Sequence, residues 1–185
     1  KTGVFIVTSG PGITNSITPL LDATNDSTPL IAFSGNVGLD AIGTNAFQEA
    51  PAVEITKPVT KWSYCVKDYN ELSDVVDEAF KVANHRKKGS VHIDLPKCVI
   101  SKTSSKTTQS FIPEYNYCTN YVQSIDIDKL DEVVTLISRA KKPILYVGKG
   151  CLEYAKELTQ FAEKANIPVT TTLHGMGIFD ENHDL

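Results

Sequence analysis

Five short apolar runs alternate with helix-periodic stretches, and that alternation limits the chain to parallel strands covered by helices. The runs are residues 3–8, 29–35, 90–96, 143–148 and 167–172. The first, second and fourth lack regular polar interruption, as expected of strands buried on both faces. A shorter strand is expected over Trp62–Val66. Between the runs, Thr14–Asn25 reads as a helix. A second helix carries Leu72, Val75, Val76, Ala79, Phe80 and Ala83 as one apolar stripe, with Asn70 as its expected opening residue. Lys81, His85 and Arg86 at its far end suit the negative pole of the helix dipole. Two further helices place Leu130, Val133, Val134 and Ile137, then Ala155, Leu158, Phe161, Ala162 and Ala165, on single faces. The fold class is therefore α/β, with doubly wound parallel sheets. Residues 1–99 form one expected domain and residues 125–185 the start of another. Residues 100–124, dense in Ser, Thr, Lys and Tyr, read as a linker. The only methionine is Met176 and a strand opens almost at the first residue, so the chain is expected to be an internal segment of a longer protein.

A net charge of -4, with basic residues scattered among acids, gives no stripe for nucleic acid, and no nucleic-acid partner is expected. No apolar run approaches the ~20 residues of a membrane-spanning helix, and no membrane partner is expected. Cys65, Cys98, Cys118 and Cys151 form no CxxC pair, and neither an HExxH motif nor a paired histidine set occurs, so no metal ligands are assigned in this chain.

Three loops remain as candidates. Ser9-Gly10-Pro11-Gly12 follows a strand and precedes a helix, where ligands of open α/β sheets gather. It is no P-loop, because Ile13-Thr14-Asn15 follows where Lys-Ser/Thr would stand. From its residues alone it reads equally as a tight turn. Gly148-Lys149-Gly150 follows another strand, but Glu153 stands where a dinucleotide fingerprint has its third glycine, so a plain turn is the first reading. The long connection from Asn36 to Thr60 carries Phe47-Gln48-Glu49. An aromatic there suggests a pocket or interface, and Glu49 alone reads as a solvated or hydrogen-bonded carboxylate. His85 is expected at a helix end and His92 in a strand.

Read in order, several segments resemble the acetolactate (acetohydroxyacid) synthase family of thiamine diphosphate-dependent enzymes. They are Val7-Thr8-Ser9-Gly10-Pro11-Gly12-Ile13-Thr14-Asn15, Asp22-Ala23, Asp26-Ser27-Thr28-Pro29 and residues 42–49. The order continues through residues 55–62, His92-Ile93-Asp94-Leu95-Pro96-Lys97, residues 145–150 and residues 167–177. The resemblance implies the carboxyl-terminal part of a pyrimidine-binding domain followed by the start of a central, FAD-binding-type domain.

It further implies Pro11 and Asn15 beside the cofactor's aminopyrimidine, Phe47 and Gln48 at the reacting centre, and Gly38 and Lys97 along the substrate channel. Gly148, Gly150, Thr172, Leu173 and His174 become candidates for FAD. Lys87 stands where the family has an FAD-contacting arginine. It keeps the charge but loses the planar fork. Gly38 replaces a proline common in the family. The implied reaction decarboxylates pyruvate and joins the remaining two-carbon unit to a second 2-oxoacid, in branched-chain amino-acid biosynthesis. The implied cofactors are thiamine diphosphate, FAD, and Mg2+ held by a later domain. The activating glutamate is expected before Lys1. The family forms its active site from two subunits, so a homodimer or higher homo-oligomer is implied, with a regulatory subunit left open. The compartment would be cytoplasmic, or mitochondrial or plastid in a fungus or plant. The alternatives are another thiamine diphosphate-dependent decarboxylase, lyase or oxidase of this fold, a noncatalytic homologue, and a dinucleotide-binding oxidoreductase built on the second domain.

Overall fold

The computed structural model describes residues 1–102 and 126–185, and the chain divides into two compact units, Lys1–Tyr121 and Val122–Leu185. In the first unit, four parallel strands lie in the order β1-β2-β4-β3. They are β1 (Gly3–Val7), β2 (Leu30–Asn36), β3 (Trp62–Cys65) and β4 (Ser90–Pro96). Helices α1 (Pro11–Asn15) and α2 (Ile17–Asn25) join β1 to β2, α3 (Ala52–Thr56) precedes β3, α4 (Leu72–Asn84) joins β3 to β4, and α5 (Lys97–Ile100) follows β4.

The strand period of two divides the side chains between two helical layers. On one face Ile31, Val91 and Ile93 meet Val75, Ala79 and Ala83 of α4, all buried. On the other, Ala32 packs with Ile13, Leu20 and Ala52 from α1, α2 and α3. The expected α/β architecture with helices on both faces is present.

Three details differ from the sequence reading. The single helix over Thr14–Asn25 instead begins at Pro11 and breaks at Ser16. Pro19 has no N–H for the Asn15 carbonyl, and the Ser16 hydroxyl donates to the Gly12 carbonyl at 2.8 Å. The turn leading into α4 is opened by Asp68, not Asn70. The Asp68 carboxylate accepts from the Asn70 N–H at 2.8 Å, while Glu71 reaches back to the Asp68 N–H at 3.2 Å. Strand β1 is an edge strand with β2 as its only paired neighbour among the described residues, and Val4 and Ile6 are exposed. α4 lies over β2 and β4, which leaves that face of β1 uncovered.

The second unit pairs β5 (Leu145–Val147) with β6 (Val169–Thr171) in parallel. Helix α6 (Ile127–Arg139) precedes β5 and α7 (Ala155–Ala165) connects the two strands. Asn166 ends α7 at φ 50°, the left-handed geometry that closes many helices. Val147, Ala162, Ile167, Ile178 and Phe179 are buried. The stripe expected on α6 is helical, yet Leu130, Val133 and Val134 are exposed and no residue of α6 is buried. Strand β5 was expected to be buried, but Ile144 and Tyr146 are exposed. A ladder of two strands leaves such side chains without a neighbouring layer.

Residues 103–124 of the expected linker, with Cys118, lie outside the described residues. Cys65, Cys98 and Cys151 are free thiols. Among the described residues no helix is long and apolar enough to cross a membrane.

Candidate functional site

Because every strand of the first sheet runs in the same direction, the segments that leave β1, β2 and β4 emerge at one carboxyl edge. Those segments carry Pro11 and Asn15, then Gly38, Phe47 and Gln48, then Lys97. Pro11, Asn15 and Lys97 are exposed there, and Phe47 is 89% exposed.

Glycine is required at the centre of this edge. Gly10 has φ +62°, and a Cβ there would lie 2.7 Å from the Gln48 carbonyl oxygen and 3.1 Å from its Cα. Only a bare backbone lets the Phe47–Glu49 segment rest on the turn after β1. Gln48 is itself left-handed, at φ 60°, as is Asn45 at 58°. Such geometry in residues with a Cβ is uncommon and gathers at functional loops. The Ser9 hydroxyl donates to Gln48 Oε1 across 3.5 Å. The structure thus brings together two motifs that are 39 residues apart in sequence.

Glu49 gives that loop its shape. Its carboxylate accepts from the Gly43 N–H and from the Ala46 N–H, the latter at 3.0 Å. The Gly43 bond first, aided by the other backbone amides, holds the carboxyl below the usual carboxylate range. Glu49 is a hydrogen-bonded loop staple, as its isolation in the sequence suggested.

Beneath the edge lies a group of residues to which sequence reading assigned no role. Register pairs Ser34 with Asp94, and His92 with both Ala32 and Ser63, on the face covered by α1–α3. Ser34, Thr56, His92 and Asp94 are fully or almost fully buried. The Ser34 hydroxyl donates to Asp94 Oδ1 at 2.6 Å and meets His92 Nε2 at 2.8 Å. Thr56 Oγ1 lies 2.8 Å from His92 Nδ1, and Asn36 Nδ2 donates to Asp94 Oδ2 at 2.5 Å. With Ser34 giving its one proton to Asp94, a neutral His92 donates to Ser34 from Nε2, and its bare Nδ1 shares the Thr56 hydroxyl with the Ala52 carbonyl, 2.8 Å away. Burial holds the His92 imidazole neutral, lowering its pKa to about 4. Burial also raises Asp94, against the hydrogen bonds of Ser34 and Asn36, and raises the Cys65 thiol beside it to about 12. The available signal was the alternation of Ser90, His92 and Asp94 with Val91, Ile93 and Leu95. A polar face on a covered strand must find its partners inside the protein.

Lys87 stands apart from these residues. It precedes β4 at the amino edge and lines a 670 Å³ pocket with Lys61, Lys81, His85 and Arg86. Lys61 donates to the Val82 carbonyl and, at 2.8 Å, to that of His85, closing the end of α4.

In the second unit, Gly148 and Thr172 follow β5 and β6 and are joined at the carboxyl edge. The Thr172 N–H donates to the Val147 carbonyl at 2.8 Å, and Gly175 donates to Thr172 at 2.9 Å. A Cβ on Gly175 would lie 3.3 Å from the Gly148 Cα, whereas one on Gly150 would meet nothing. Leu173 and His174 are exposed beside this backbone cradle. Among the described residues, no group of three or more His, Cys, Asp and Glu could hold a metal ion.

Residues 1–55 match the model of the thiamine pyrophosphate enzyme N-terminal TPP binding domain, and residues 130–185 match that of the thiamine pyrophosphate enzyme central domain. The chain belongs to the thiamine pyrophosphate enzymes. Over its whole length it is 44% identical to the mitochondrial acetolactate synthase of Schizosaccharomyces pombe and 40% identical to the chloroplastic acetolactate synthase of Arabidopsis thaliana. It is 42% identical over 98% of its length to the mitochondrial acetolactate synthase catalytic subunit of Saccharomyces cerevisiae. The chain spans 28–29% of the length of these relatives. Within the thiamine pyrophosphate enzyme match, the Gly10 turn and the Phe47–Glu49 loop both fall in the N-terminal TPP binding segment, and the glycine cradle falls in the central-domain segment.

Proposed function

We propose that this chain is part of an acetolactate synthase, in which residues 1–99 carry the pyrimidine side of the active site, residues 100–124 link, and residues 125–185 begin the central domain. The observation that carries the reading is the docking of the Gln48 loop on the left-handed Gly10 turn, at a parallel-sheet carboxyl edge within the TPP-binding match. Thiamine diphosphate, when bound, supplies the electron sink for decarboxylation of a 2-oxoacid. This chain's residues hold and orient. Pro11 and Asn15 flank the pyrimidine, while Phe47 and Gln48 face the reacting groups and limit water there. Gly38 and Lys97 line the approach, where the exposed ammonium of Lys97 would attract a 2-oxoacid carboxylate.

The glycine cradle supports FAD as a second cofactor, contacted by Gly148, Gly150, Thr172, Leu173 and His174. Lys87 is proposed as a further FAD contact in the first unit. Mg2+ is assigned to residues outside this chain. The proposed substrates are pyruvate and a second 2-oxoacid, and the proposed assembly is a homodimer or larger homo-oligomer, with a regulatory subunit as a further partner. The mitochondrial and chloroplastic names of the relatives support an organellar compartment for a eukaryotic source.

The test is acetolactate formation from pyruvate by the full-length protein, with thiamine diphosphate, Mg2+ and FAD each withheld in turn. Product formation that stops without thiamine diphosphate or Mg2+ is expected. Folded protein that binds thiamine diphosphate yet forms no acetolactate would move the assignment to another enzyme of this fold.

A further inference from the structure

The connection that carries Gln48 leaves β2 at Asn36 and enters α3 at Ala52. Its internal bonds, Glu49 to Gly43 and Ala46 and the Thr44 hydroxyl to the Ala41 carbonyl at 2.7 Å, hold its shape but do not locate it on the sheet. Its side-chain bond to the turn, Ser9 to Gln48, is long at 3.5 Å. Its location therefore depends on how its two ends are held, and both ends meet the same buried polar chain. At the entrance, Asn36 donates to Asp94 at 2.5 Å while its own Oδ1 accepts from the Val37 N–H at 2.8 Å. At the exit, Thr56 ends α3, lies 2.8 Å from both the Ala52 carbonyl and His92 Nδ1, and meets Ser63 at 2.9 Å. Ser34 closes the path between His92 and Asp94.

We propose that Asp94 and His92 are positioning residues for Gln48: through Asn36 at one end and Thr56 at the other, they tie the 37–51 connection to β4 and set how Gln48 rests on the Gly10 turn. The catalytic part of this inference rests on the functional reading above. A buried ionisable chain is a weak source of stability, since apolar residues of similar volume often do as well. Its use here is directional. Each bond restricts the orientation of a hydroxyl, an imidazole or an amide, and the chain ends where the functional loop begins and ends.

The decisive experiment exchanges the amide and the carboxylate. In the full-length protein, Asp94→Asn alone sets an amide donor where Asp94 now accepts from Ser34, Asn36 and Cys65, and Asn36→Asp alone sets two carboxylates face to face. The double exchange, Asn36→Asp with Asp94→Asn, restores one amide opposite one carboxylate. We expect each single variant to lose about tenfold in kcat, with the KM for pyruvate and the affinity for thiamine diphosphate changed less than about twofold, and the exchange to recover kcat to within about threefold of the parent. Where a single variant fails to fold, the exchange decides alone. A folded Asp94→Asn protein with the parent kcat, or an exchange that restores thermal stability without kcat, would overturn the proposal. If the parent forms no acetolactate, the functional reading fails separately, and amide exchange over residues 37–51 then decides. Faster exchange in Asp94→Asn sustains the positioning role, and unchanged exchange removes it.

Discussion

The two units are built from the same strand-helix-strand grammar, but they bury it differently. In the first, β2 and β4 are central strands with helices on both faces, and Ile31, Val91 and Ile93 are wholly removed from solvent. In the second, two three-residue strands pair only with each other among the described residues, while Tyr146 and the α6 stripe are exposed. An apolar periodicity therefore predicts the element but not the layer that covers it. Covering needs neighbours, and among the described residues the first sheet has four strands where the second has two. The contrast extends to polar groups. A strand covered on both sides can hold His92 and Asp94 only because Ser34, Asn36 and Thr56 satisfy them.

The strongest way to break this contrast is through the core. Ile93→Ala removes a fully buried side chain packed against α4 and is expected to cost about 2–5 kcal/mol in urea unfolding. A cost comparable to that of a surface change would contradict the closed core. Next in size is the acid response of the polar chain. His92 is held neutral, with its pKa lowered from 6.5 to about 4, so its contribution is fully present above pH 6.5 and is lost as pH falls toward 4. Asp94 works oppositely, because its raised pKa lets the folded state take up a proton first between that raised value and 3.8. Between pH 6.5 and 4 the parent should lose about 3 kcal/mol more than a His92→Gln variant, read from denaturant midpoints at each pH. Parallel pH profiles would place the imidazole in solvent. The smallest effect belongs to the second unit. Leu136, 64% exposed on α6, should change stability by less than about 0.5 kcal/mol on replacement by alanine. A loss near that of Ile93→Ala would erase the difference between the units.

Much of the fold was legible because its signals are local. Strand β4 occupies the expected Ser90–Pro96 span, and α4 buries Val75, Ala79 and Ala83 from the predicted stripe. The break at Ser16 is also written in the sequence, as Pro19, although the apolar spacing alone predicts one unbroken helix. The exposure of Val4, Ile6 and the α6 stripe was not legible, because periodicity carries no information about whether a second layer lies opposite. The candidate site divides in the same way. Gly10 and Gln48 were recognisable as members of separate motifs, but their contact depends on two left-handed residues meeting across the sheet edge. The Ser34–His92–Asp94 chain depends on strand register, which pairs residues 58 and 60 positions apart.

The central claim is that the Gly10 turn and the Gln48 loop form one site, and a double-mutant cycle tests it most directly. With kcat for the proposed acetolactate formation measured in full-length Gly10→Ala, Gln48→Ala and the double variant, the Cβ at residue 10 should displace the loop and cost about a hundredfold. Once the loop is displaced, removing the Gln48 side chain should add less than about threefold. Losses that multiply as if the two positions were independent would contradict a shared site.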